Sequence, residues 1–167
     1  ADLGRNFSIY DESDARSLLS DVVEEIGLEK FDADDFFSDL ERAKARMLSP
    51  EFLARGEARL RAEAPDAHRW HAILSHFKSE SFIEVYKQYQ AALQEQNAVD
   101  FNDLLNRTTR LFQTDDEVRE SWKSTFRHFM IDEVQDINRA QVSWLQAITG
   151  NGEMSTIPDR GAGTDYG

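Results

Sequence analysis

The chain has 167 residues, 40% hydrophobic and 31% charged, with a formal net charge of -13 and no cysteine. This is enough for one domain with its own core or for a piece of something larger; it excludes disulfide staples and thiolate metal sites, and no apolar run approaches the ~20 residues of a membrane-spanning helix. The acidic balance also excludes a chain that coats nucleic acid by bulk charge alone, because phosphate binding relies on Lys and Arg displacing counterions.

The first stretch, "ADLGRNFSIY", has neither the basic nor the apolar region of a secretory signal, so a cytoplasmic location is the expectation. "NFSIY" reads as a short extended piece. Asp11 then stands as an N-cap before Leu18, Leu19, Val22, Val23 and Ile26, whose spacing predicts a helix that Gly27 stops. A second helix is expected after Asp32, with Phe36, Phe37, Leu40, Ala43, Met47 and Leu48 on one stripe. In "SPEF", Ser49 caps a third helix and Pro50 sits in its first turn, where a missing amide costs nothing.

Charge is unevenly spread over this part. The segment from Asp11 to Asp39 is strongly negative, whereas the next one carries Arg42, Lys44, Arg46, Arg55, Arg59 and Arg61. A solvated helical face is the expectation for these basic residues.

Pro65 breaks the chain again. From Asp66 to about Gln96 a long helical pattern, divisible near "KSES", runs through Trp70, Ile73, Leu74, Phe77, Ile83, Tyr86, Tyr89 and Leu93, and its period predicts core rather than a base-stacking platform. Asn97 ends it. In "VDFNDLLNRTTRLF", Asp100 takes the capping position and Asp103 the first turn, with Phe101, Leu104, Leu105, Thr108, Leu111 and Phe112 expected on one face. A short helix around Val118 and Trp122 precedes a buried strand predicted over 126–131, and a last helix is expected from about Asn138. A lone buried strand cannot satisfy its own backbone groups, so either sequence outside this chain supplies its neighbours, the preferred solution, or "FRHFMID" pairs with "NFSIY".

His68, His71 and His76 lack the spacing of a metal pair, and "DADDFF" lacks the glycine of a calcium loop. The tail "GNGEMSTIPDRGAGTDYG" reads as irregular; without a Lys it is no phosphate loop.

The chemistry concentrates in "HFMIDEVQDINRAQ". A strand ending in Asp132 and Glu133 would set both carboxylates at the carboxyl edge of a sheet, where open α/β folds place ligands. There Asp132 can hold a hydrated Mg2+ and Glu133 can orient an attacking water. The plainer reading is that Asp132, Glu133 and Asp136 cap the following helix; residue chemistry alone leaves the two open.

"IDEVQDINRAQ" resembles motif II of the superfamily 1 DNA helicases of the UvrD, PcrA and Rep type, a hydrophobic strand followed by D-E-aromatic-Q-D-T-N-x-x-Q. Asp132, Glu133, Gln135, Asp136, Asn138 and Gln141 match; Val134 and Ile137 replace the aromatic residue and Thr. "VDFNDLL" resembles the family's D-F-D-D-L element, "VYKQYQAALQEQNAVDF" the helix leading into it, and "NFSIYDESDARSLL" the opening of the helical insertion called domain 1B. The resemblance spans about 6–148.

The resemblance implies a mainly α chain: a helical 1B-like insertion domain over 1–125, attached to the motif II (Walker B) strand and helix of a P-loop α/β, RecA-like motor domain 1A over 126–150, with an irregular tail over 151–167. It implies Asp132 as ligand, through water, of the Mg2+ of Mg-ATP, Glu133 as the residue polarising the hydrolytic water, and Gln135 as a coupling residue at the nucleotide. It further implies single-stranded DNA and a duplex junction as partners, with 3' to 5' movement, the remaining helicase domains alongside, and some of Arg42, Arg46, Arg55 or Arg59 at a phosphate backbone. The family's Walker A loop and T-x-H-S element would lie before Ala1, and its motif III is replaced after Ile148. The chain is therefore expected to be an excised piece that does not hydrolyse ATP alone. The alternatives are a free-standing acidic helical interaction module and, more remotely, a small Mg-dependent phosphohydrolase.

Overall fold

The computed structural model describes residues 3–29, 33–77, 81–126 and 128–149. Helices dominate: α1 Glu12–Glu25, α2 Ala33–Ala45, α3 Pro50–Arg61, α4 Ala67–Leu74, α5 Phe82–Glu95, α6 Phe101–Thr114, α7 Asp116–Thr125 and α8 Arg139–Thr149. Two three-residue strands, β1 Ser8–Tyr10 and β2 Ala98–Asp100, pair in parallel with Ser8 opposite Ala98 and Tyr10 opposite Asp100.

The helix boundaries follow local chemistry. Asp11 caps α1 in a reciprocal box, accepting from the Asp14 amide at 2.9 Å while its own amide donates to Asp14. Gly27 ends α1 at φ +81, and its left-handed backbone lets the Leu28 amide reach back to Val23 O. Met47, Glu63 and Asn97 serve the same left-handed role after α2, α3 and α5 without glycine. Ser49 caps α3 with Pro50 at its start. The long aromatic pattern is indeed two helices, α4 and α5; residues at their join lie outside those described.

The main core brings together Leu19 and Val23 of α1, Phe36 and Leu40 of α2, Leu53 of α3 and Tyr89 of α5, among others. Trp70, Tyr86, Tyr89 and Leu93 are buried, as the helical period predicts for core. A second, smaller core joins Phe112 of α6 to Ala147 and Ile148 of α8, with Val118, Phe129 and Trp144 packed against it. Phe112 lies edge-on to Trp122 at 6.0 Å between centroids.

Three expectations are corrected. The predicted buried strand over 126–131 pairs with nothing among the described residues: Phe126 and Met130 are exposed, Met130 at 90%, and Phe129 and Ile131 are half-buried. Residues 128–131 take no regular secondary structure; "NFSIY" has "AVD" as its partner, and no other strand is present among the described residues.

The expected face of α6 is met only in part. Phe112 is buried and Leu104 and Leu105 are half-buried as expected, but Phe101 and Leu111 point to solvent while Asp103 and Thr109 are buried. The third correction concerns Lys44, which is expected on a solvated face with its neighbours but is 1% exposed and lies between Asp100 and Asp103. Arg55, Arg59 and Arg61 do face solvent.

Candidate functional site

After residues 128–131, which take no regular secondary structure, the chain turns through Asp132 and Glu133 into a single 3-10 turn, Val134–Asp136, and then enters α8. Asp132 accepts its neighbour's amide, Glu133 N to Asp132 Oδ1 at 2.9 Å, which leaves Oδ2 without a bond among the described residues. Glu133 O accepts the Asp136 amide at 2.8 Å and closes the turn. The Gln135 side-chain amide donates to Glu133 Oε2.

Glu133 adopts φ 51 and ψ 43. The left-handed region costs a non-glycine residue about 1–2 kcal/mol. Met47, Glu63 and Asn97 occupy that region where a helix must stop; Glu133 follows no helix. Its conformation bends the chain so that successive carboxylates, Asp132, Glu133 and Asp136, all remain exposed. None of the three forms an ion pair among the described residues.

The plainer reading, in which these carboxylates cap α8, does not hold. Asn138 and Gln141 cap that helix reciprocally: Gln141 N donates to Asn138 Oδ1 at 3.0 Å, and Asn138 N donates to Gln141 Oε1 at 2.7 Å. The capping requirement of α8 is met two residues beyond Asp136, so the acidic cluster is free of that duty.

Beside the turn lies an open cleft of about 540 Å3. Leu105 of α6, Phe129, Ile131, Ile137 and Trp144 form its apolar wall, and Asp132 and Gln141 stand at its polar edge. Asp132 thus presents an oxygen to solvent next to an apolar hollow.

Hard oxygen donors suit Mg2+, which is ordinarily held by one or two carboxylates plus waters and phosphates rather than by an all-protein cage. The free Oδ2 of Asp132 fits that donor set. No group of three or more His, Cys, Asp or Glu among the described residues forms a cage, and His68, His71 and His76 are exposed as expected.

Sequence reasoning missed the buried charges at the other end of α6. Lys44 Nζ is 2.9 Å from Asp103 Oδ1 and also bonds Asp100 Oδ2, which accepts from the Tyr89 hydroxyl at 3.0 Å. Burial pushes the Tyr89 hydroxyl well above the ordinary tyrosine range, and the Asp100 charge adds to it; Tyr86 is raised by burial and then by Asp103. The available signal was Lys44 itself, placed four residues after Leu40 on the stripe of Phe36, Phe37, Leu40 and Ala43.

The sequence that folds into these helices and this acidic turn is similar to known proteins. The family model described as the UvrD/REP helicase N-terminal domain matches residues 1–160. The chain belongs to this family. It is 33% identical over 160 residues to the ATP-dependent DNA helicase UvrD1 of Mycobacterium leprae, covering 94% of this chain and 19% of that protein. To UvrD1 of Mycobacterium tuberculosis strain H37Rv it is 33% identical over 159 residues, covering 93% and 19%. With the ATP-dependent DNA helicase PcrA of Staphylococcus aureus strain NCTC 8325 the identity is 30% over 169 residues, covering 95% and 21%. The chain thus spans about a fifth of the length of the curated relatives it matches.

Proposed function

We propose that the chain is part of an ATP-dependent DNA helicase or translocase that couples ATP hydrolysis to 3' to 5' movement on single-stranded DNA and to duplex unwinding. The observation that carries this reading is the strained Glu133 turn, which exposes unpaired carboxylates in a chain whose relatives are named ATP-dependent DNA helicases.

In this reading, Asp132 holds Mg2+ through water with its free Oδ2, and Glu133 accepts a hydrogen bond from the hydrolytic water and orients it for attack. Gln135, bonded to Glu133, fixes the carboxylate and links it to the nucleotide's state. Bound with ATP, the metal supplies neutralisation of charge on the phosphates. The phosphate cradle is not among these 167 residues, so the isolated chain is expected to be inactive.

Residues 1–125 serve as the helical 1B-like domain and 126–150 as the motif II piece of a RecA-like domain 1A; the 151–167 tail lies outside the described residues. The remaining helicase domains supply strand neighbours for 128–131 over the apolar cleft. At the DNA, Arg42 and Arg59 are already engaged, with Asp39 and Asp66, so Arg46 and Arg55 are the cations left to meet phosphates. Cytoplasmic DNA transactions such as repair or replication are the setting. The rival reading, an acidic interaction module motivated by the charge asymmetry, treats the acidic turn as only a cap, a duty that the Asn138–Gln141 box already performs for α8.

The test is Glu133→Gln in the full-length protein. DNA-stimulated ATP hydrolysis should fall by about 100-fold or more, with nucleotide affinity kept within a few-fold. An unchanged turnover rate would remove Glu133 from the chemistry.

A further inference from the structure

The buried charges at the start of α6 lie outside the acidic turn, yet α6 connects the two. Lys44 comes from α2, Tyr89 and Gln90 from α5, and Asp100 and Asp103 from the strand-helix junction that begins α6. Gln90 Nε2 donates to Asp103 Oδ2 at 3.2 Å, Asp103 N donates to Asp100 Oδ1 at 2.8 Å, and the Asn106 side-chain amide donates to the Lys44 carbonyl at 3.1 Å. The ammonium also lies 5.0 Å from the centre of the Tyr89 ring.

A buried ion pair is weak evidence for stability, because apolar residues of the same volume pack as well; what charges add is a fixed geometry. The rotation of α6 shows such a choice. The helix turns Asp103 and Thr109 inward and leaves Phe101 and Leu111 in solvent, at a cost in apolar burial that the packing of Phe112 in the second core offsets only in part. The cation on α2 pairs with the side of α6 that carries Asp103. The opposite side of α6 packs along α8 more extensively than any other two elements pack, and Leu105, two residues after Asp103, lines the cleft with Asp132.

We propose that Lys44 is a positioning residue for ATP turnover: through Asp100 and Asp103 it fixes the rotation of α6, and α6 in turn holds α8 and the 132–136 turn. This rests on the hydrolytic reading of that turn. One ammonium bonded to two carboxylate oxygens, at the N-cap and in the first turn of α6, defines the rotation of a helix start in a way that a methyl group does not. The helical lobe and the acidic turn are thereby coupled through α6, beside the direct contact of α2 with α8.

The full-length protein tests this with two variants. Tyr89→Phe removes one bond to Asp100 and leaves the rest of the packing. Lys44→Met with Asp100→Asn and Asp103→Asn removes every charge of the cluster while keeping Asn as the cap of α6. Hydrogen exchange at the Glu133 and Asp136 amides should be about fivefold faster in Tyr89→Phe, with α1 amides unchanged. In the triple variant, kcat for ATP should fall by about tenfold while KM shifts less. Exchange at Glu133 and Asp136 that stays at the wild-type rate in Tyr89→Phe, while the first turn of α6 loosens, overturns the coupling, whether or not the triple variant folds. The exchange readout does not depend on ATPase activity, so failure of the coupling and failure of the hydrolytic reading are separately visible.

Discussion

Trp70 lies over Gly56 so closely that a Cβ on that glycine would stand 2.0 Å from Cε3 of the indole. The ring has little room to yield: its Nε1 donates to Asp66 Oδ2 at 3.0 Å, and Phe52 packs at 4.9 Å between centroids. A glycine inside a helix is ordinarily a cost, and here it is the condition for α4 to pack on α3. Gly56→Ala should therefore lower stability by about 1–2 kcal/mol, overpacking of about 1–3 kcal/mol outweighing the ~1 kcal/mol that alanine gains in a helix. Urea denaturation measures this, and a stabilised variant would mean that the α3–α4 contact is looser than the distance implies.

The reciprocal cap on α8 makes a second prediction. Asn138→Ala should cost about 0.5–2 kcal/mol, as a lost N-cap does, and should expose the Gln141 amide to exchange; Asn138→Asp should cost little. Equal behaviour of the two variants would show that the side chain does not cap.

The tyrosines beside the buried charges give the chain an alkaline limit. Their hydroxyls titrate higher in the folded chain than the ordinary 10.0, so above that pH the unfolded chain loses protons that the folded chain keeps. The stability is fully present below about pH 10 and declines as the pH rises further. Tyr86→Phe should flatten the decline, whatever it does at neutral pH. A stability profile of the same slope in wild type and variant counts against burial as the cause.

The left-handed backbone at Glu133 separates stability from activity. Glu133→Gly removes the side chain and relieves the strain, so thermal stability should hold or rise by about 1 kcal/mol. In the full-length protein the same change should abolish ATP turnover. A clear loss of stability would show that the carboxylate holds the turn together instead.

Helix limits were legible in the sequence because caps and stops are local: Asp11, Gly27, Ser49, Asn97 and Asp100 each act where they were expected. The acidic turn was legible as a string, Asp132 to Gln141, although its left-handed pivot was not, since no glycine marks it. What escaped was decided at a distance. Lys44 looks like any other cation in a basic run until Asp100 and Asp103 arrive from 56 and more residues away. Residues 128–131 are apolar enough for a buried strand, but strand formation needs a neighbour, and β1 is already paired with β2. The face of α6 was legible in part: Phe112 is buried where its period puts it, whereas Asp103 turns inward to meet an ammonium from a remote helix.

The parallel pairing of β1 with β2 has a kinetic consequence. Asn97 Nδ2 reaches Asn6 O across 91 residues of sequence, and a ladder of three residue pairs cannot by itself offset the entropy of closing so large a loop. Helices α1 to α5 must therefore collapse before the strands meet, so the ladder is a late event in folding, and Val99→Ala should slow refolding little while speeding unfolding. Both ends of the five-helix lobe are then fastened side by side by a contact that forms late.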